Sequence, residues 1–197
     1  ARRPEACRRR PSTHDARRIR TLTAYDHGVT PEPGPEGIRR LLGLEAHPTC
    51  GYVSLSFVDR QSIAAGGLPE PFTEGRPLGS ALYFMVTRER PVRLHCIRND
   101  QLYHRYLGDP LEVLLLRPDG THAVEVMGPD LAAGQHLQLL IPGGTFHTAR
   151  VASDQWFLGA STEWPGVDPA DVVIGDTDEL ARRFPAAAGL IADFTAT

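Results

Sequence analysis

Between Tyr52 and Trp164 the apolar residues come in short runs that repeat at about ten-residue spacing, each bounded by turn signals. The runs are Tyr52–Val58, Ser80–Thr87, Val92–Ile97, Leu102–Leu107, Leu111–Arg117, Thr121–Met127, His136–Ile141, Phe146–Ser153 and Phe157–Trp164. They are rich in Val, Leu, Phe and Tyr, which suit a pleated, half-buried surface. Gly108-Asp109-Pro110, Pro118-Asp119-Gly120, Gly128-Pro129-Asp130 and Pro142-Gly143-Gly144 supply explicit turns between them. No helical period intervenes. The pattern predicts an antiparallel sandwich or barrel spanning about residues 51–164 and excludes a parallel α/β fold.

Helices are expected only at the flanks. Ile38–Leu44 reads as a short helix stopped by Gly43 and then by His47-Pro48, because a residue before proline is pushed out of the α region. Past Trp164 the chain turns polar, and Asp176 or Thr177 can cap a helix that runs to Phe184 with acids in its first turn. Pro185 ends it, and Ala188–Phe194 can form another. Residues 165–197 therefore read as a C-terminal helical segment.

Charge divides the chain in two. The net charge is −3 over 197 residues, yet the first twenty residues carry eight arginines against Glu5 and Asp15. With Pro31, Pro33 and Pro35 behind them, residues 1–36 read as a flexible extension outside the folded domain of residues 37–197. That extension is either an extended reading frame or an arm reaching a partner subunit or polyanion. The acidic body argues against general nucleic-acid binding. No stretch nears the roughly twenty apolar residues of a membrane span. Three cysteines, Cys7, Cys50 and Cys96, form no disulfide or metal-finger spacing and suit a reducing, cytoplasmic setting.

Chemistry concentrates in the strands. The stretch from Arg93 to Gly108, with His95, Ile97 and Gln101, resembles the first sequence motif of the cupin superfamily, and Pro142-Gly143-Gly144-Thr145-Phe146-His147 resembles the second. Three further segments are similar to one branch of small single-domain cupins. They are Leu42-Gly43-Leu44 through Gly51-Tyr52, Asn99 through Glu112, and Gly166-Val167-Asp168 through Gly175-Asp176. The resemblance implies an all-β fold, an antiparallel jelly-roll barrel with a short N-terminal helix and a C-terminal helical segment, assembled as a homodimer.

Metal-dependent cupins gather a divalent ion with a His, His, Glu, His set. On this chain the resemblance supplies His95 and His147, with the weaker donor Gln101 at the glutamate position and Ile97 at a histidine position. The expected cofactor is therefore either none or one divalent transition metal on His95, Gln101 and His147. Alternation along the strands puts Gln101, Tyr103 and Arg105 on one face and His104 on the other unless a bulge intervenes. It also groups His95 with Arg93 and Ile97, and His147 with Ala149 and Val151.

So polar an interior points to a pocket, since unpaired buried polar groups cost roughly 1–3 kcal/mol each. The expected occupant is a small molecule, handled by acid–base chemistry of epimerase, isomerase, cyclase or lyase type. His95 and His147 would act as bases and Tyr103 or Tyr83 as acid, with Gln101, Arg105, Met85 and His104 around the substrate. A metal-dependent oxygenase and a non-catalytic sugar or nucleotide sensor are the alternatives. Cys50 and Cys96 are expected to be packing residues, His47-Pro48 and Gly143-Gly144 turns, and Asp168, Asp171, Asp176 and Asp178 loop and cap residues.

Overall fold

The computed structural model of the chain describes residues 33–196, so the arginine-rich extension lies outside the described residues up to Glu32. Pro35–Leu42 forms helix α1, and Glu45–Ala46 and Tyr52–Val58 form β1 and β2. An excursion carries the short strands β3 (Ser62–Ile63) and β4 (Arg76–Pro77) before β5 (Ser80–Thr87). Strands β6 (Val92–Cys96), β7 (Gln101–Gly108), β8 (Leu111–Leu116) and β9 (His122–Met127) follow. The rest comprises β10 (Gln138–Ile141), β11 (Phe146–Val151), β12 (Trp156–Glu163), β13 (Val173–Ile174), α2 (Thr177–Arg183) and α3 (Ala188–Thr195). Every run expected to be a strand is one, with ends within two residues of the expected bounds.

The strands make two facing antiparallel sheets, in the orders β1-β2-β5-β12-β7-β10 and β13-β6-β11-β8-β9. This is the jelly-roll arrangement. Between the sheets lie Phe84, Val86, Val92, Tyr103, Leu111, Val113, Leu115, Met127, Ile141 and Phe157, all nearly inaccessible. Burial of such side chains contributes about 1.5–3 kcal/mol each, which makes this the main stabilising layer.

Both sheets are also covered on their outer faces. Helix α1 begins at Pro35, before the expected Ile38, because Pro35 and Glu36 suit a first turn and Gly43 closes its end with a left-handed φ of 62°. Its Ile38 joins Leu44, Met85 and Leu158 outside the six-stranded sheet. Helices α2 and α3 place Leu180, Phe184, Ile191 and Phe194 on Leu94, Leu114 and Leu116 outside the other sheet. Asp176 caps α2 by accepting from the Glu179 amide, as expected. At Gly51 φ is 61°, and a Cβ there would collide with the Met85 carbonyl, so the entry to β2 requires glycine.

Candidate functional site

Five strand ends meet at one end of the jelly roll. The antiparallel register sets His147 of β11 opposite His95 of β6, with ring centroids 4.3 Å apart. His95 Nδ1 donates to the Arg93 carbonyl at 2.7 Å, and His147 Nδ1 donates to the Thr145 carbonyl at 3.5 Å. A carbonyl can only accept, so each ring carries its proton on Nδ1 and presents a lone pair at Nε2. Tyr103 of β7 donates its hydroxyl to His147 Nε2 at 3.0 Å. Burial holds the His147 pKa well below the ordinary imidazole value, reinforced by His95, and lowers that of His95 as well. Both bases are therefore neutral near pH 7. Burial also pushes the Tyr103 hydroxyl well up, which keeps its proton in place.

Glu163 belongs to the same interior. Alternation along β12 turns Phe157, Ser161 and Glu163 inward, and Glu163 pairs with Gln101 across the register. Its carboxylate accepts from the Ser80 hydroxyl at 2.9 Å and from the Ser161 hydroxyl, while Gln101 Nε2 donates to Ser161 Oγ at 3.3 Å. Burial raises the Glu163 pKa against the pull of these donors, and its charge in turn raises Tyr103 and Cys50. Sequence reasoning missed this residue, although the inward parity that begins at Phe157 leads to it. Gln101 Oε1 is buried without a partner.

The interior is closed. Exposure runs from 0 % at His147 to 8 % at Ser80, so the described residues form no open pocket around the histidines. A strap, residues 164–171, crosses this end of the sheets. The Val167 amide donates to Ser80 Oγ at 3.1 Å, Asn99 Nδ2 to the Pro165 carbonyl at 2.6 Å, and the Gly166 amide to the Pro77 carbonyl at 2.8 Å. Asp171 anchors the strap on Arg76 at 2.8 Å and on Arg98 at 3.3 Å. A groove of about 640 Å³ lies instead on the outer side of β6, lined by His47, Arg90, Arg93, Thr148 and Phe194 among others.

Four of the expected site residues fall elsewhere. Tyr83 and Met85 pack on the outer face of β5 beneath α1, because Phe84 and Val86 take the inward parity. His104 is on the outer face of β7, where Nε2 donates to Thr162 Oγ1 at 2.9 Å and Nδ1 accepts from Gln138 at 3.0 Å. Arg105 spends its guanidinium on the Gly108 carbonyl at 2.6 Å, at the end of β7 remote from Gln101. Arg93 is exposed because the β6–β11 register shifts between His147 and Ala149, which breaks the alternation.

The resemblance to metal-dependent cupins implies a divalent ion, and the donor set here does not fit one. Ile97 offers no ligand where a histidine would stand, and Tyr103 occupies His147 Nε2. Two serine hydroxyls hold the Glu163 carboxylate, and no three His, Cys, Asp or Glu side chains converge among the described residues.

Residues 36–174 match the family model described as Cupin superfamily (DUF985). A hypothetical protein from Leishmania major is similar in structure, with a TM-score of 0.74 and 22 % identity over 82 % of this chain and 98 % of that one. A Shewanella oneidensis protein reaches a TM-score of 0.71 at 22 % identity over 82 % and 97 %. A cupin-2 domain from Rhodospirillum rubrum reaches 0.50 at 16 % identity over 79 % and 91 %. These likenesses extend to the fold alone. No protein with a curated description matches the chain.

Proposed function

The chain belongs to the DUF985 family of the cupin superfamily, and from that premise we propose that its interior carries out metal-independent acid–base chemistry on a small polar molecule. The class is proton transfer at carbon, as in an epimerase, isomerase, cyclase or lyase. One observation carries the reading, the Tyr103 hydroxyl donating to His147 Nε2 at 3.0 Å beside a second neutral imidazole, His95. A neutral imidazole accepts a proton and a phenol held in its acid form supplies one, so base and acid stand within one cluster. His95 Nε2 is the base in this reading and Tyr103 the acid, oriented by His147. Gln101, with its unpartnered Oε1, and Glu163 with its two serines orient the substrate. The homodimer that the family likeness implies is part of the same proposal.

The strap supports a gated site, because residues 164–171 lie across the Ser80 and Glu163 end of this closed interior, and their movement would open it. The test is carbon–hydrogen exchange. Native protein is incubated in D2O with a panel of sugars and hydroxy and keto acids, and deuterium uptake at carbon is followed by mass spectrometry. The expected result is uptake into one class of compound, reduced about 10²–10⁴-fold in His95→Ala per folded molecule. Undiminished uptake in His95→Ala contradicts the assignment, as does the absence of uptake by the native protein.

A further inference from the structure

A line of polar side chains that the proposed chemistry does not use joins the buried histidine pair to the outer groove. His47 lines that groove with Arg90 and Arg93. Its Nδ1 lies 3.1 Å from Thr49 Oγ1, which lies 3.3 Å from Cys50 Sγ, which lies 3.9 Å from His95 Nε2. Thr49 is buried, and its own amide donates to His47 Nδ1 at 3.3 Å. That second donor fixes the resting His47 with a lone pair on Nδ1 and its proton on Nε2.

We propose that Thr49 and Cys50 are a proton relay between His95 and His47, the route by which the closed site exchanges protons with solvent. Each member can donate and accept at the same atom, which is what such a relay requires. In the outward direction the Nε2–H bond of charged His95 breaks as an S–H bond forms on Cys50. The original Cys50 S–H proton passes to Thr49 Oγ1, and the Thr49 O–H proton passes to His47 Nδ1. His47 then releases its Nε2 proton to water in the groove. One proton leaves His95 and one reaches solvent, with no oxidant, reductant or net charge left on the thiol or hydroxyl. Burial lifts the Cys50 thiol to about 11, so the thiol hands protons on without accumulating as thiolate. The relay owes its purpose to the acid–base reading, but its existence is measurable without any substrate.

The probe is the thiol itself. The S–H infrared band of Cys50 is identified by its loss in Cys50→Ala, and its conversion to S–D is timed after transfer of the full chain into D2O. Thr49→Val keeps the shape and removes the hydroxyl, and is expected to slow that conversion at least tenfold. Thr49→Ser is expected to restore it. His95→Gln is expected to shift the band, because the thiol loses its imidazole partner. Wild-type exchange in Thr49→Val, failure of Thr49→Ser to restore it, or an unmoved band in His95→Gln would each overturn the relay. None of these outcomes depends on the carbon-exchange assay, so the relay and the catalytic reading fail separately.

Discussion

Replacing Asp171 by Asn is expected to cost about 3–5 kcal/mol of folding stability, the range for breaking one side of a buried ion pair. Asp171 is 1 % exposed and Arg76 is 4 % exposed, and they meet at 2.8 Å. Arg76 also lies over the Phe72 ring, 4.5 Å from its centroid, so its charge is hemmed in by an apolar face. Its remaining acidic neighbour, Glu74, is 3.8 Å away and largely solvated, and offers little compensation. Asn keeps the size of the side chain and removes the charge, which isolates the loss as electrostatic. Urea unfolding checks the figure, with each kcal/mol worth about 2–4 °C in a parallel thermal melt. Exchanging both partners, Asp171→Asn with Arg76→Met, should recover much of the loss because no unpaired charge stays buried. The strap should also loosen in the single variant, seen as faster amide exchange at Val167. A cost below about 1 kcal/mol would show that the Asp171 anchor does not hold the strap.

Phe84→Ala is expected to cost a similar amount, about 3–5 kcal/mol, through the cavity it leaves. Phe84 is 1 % exposed, and its ring lies 4.8 Å from Tyr103 and 5.6 Å from Phe157. Close-packed interiors relax only in part when an aromatic side chain is removed, so most of the lost contact is not regained. Tyr103 loses the wall that aims its hydroxyl at His147, and the variant should lose acid–base function beyond what its stability explains. Chemical unfolding and the carbon-exchange assay are run on the same preparation. A loss of less than about 1.5 kcal/mol would mean that the sheets collapse onto the vacancy, as well-tolerated core swaps do.

Strand positions were legible because both the period and the turns are written in the chain, as in the run from Leu111 to Leu116 that ends at Pro118-Asp119-Gly120. Parity was equally informative for Gln101 and Tyr103, which share the interior, and for His95 and His147, which the register sets opposite each other. It failed at Tyr83 and Met85 for a physical reason. Strand β5 is covered on both faces, by the opposite sheet inside and by α1 outside, so both parities are apolar and alternation cannot say which is inward. At Arg93 a register shift reversed the side-chain direction. Glu163 was overlooked because it stands at a strand end beside Trp164, although Phe157 and Ser161 share its parity. Cys50 lies outside any periodic run, and only the folded chain brings its sulfur to His95. The closure of the site was not legible at all. It depends on residues 164–171, which carry no period and are held by contacts between residues far apart in the chain, such as Asn99 to the Pro165 carbonyl and Asp171 to Arg76.

His95 and His147 are both neutral imidazoles protonated on Nδ1, with His147 Nε2 held by the Tyr103 hydroxyl and no metal on either ring. The most direct measurement is the ¹⁵N spectrum of histidine-labelled protein, purified without chelator and titrated downward from pH 7. Burial depresses both pKa values, so the folded state resists protonation where an exposed imidazole is half charged, near pH 6.5. Both residues are expected to be Nδ1-protonated neutral rings at pH 7. His147 is expected to stay neutral well below pH 6.5, and neither signal is expected to change on adding a divalent metal. A charged His147 at pH 6.5, or Nε2 resonances moved by one equivalent of metal, would contradict these expectations.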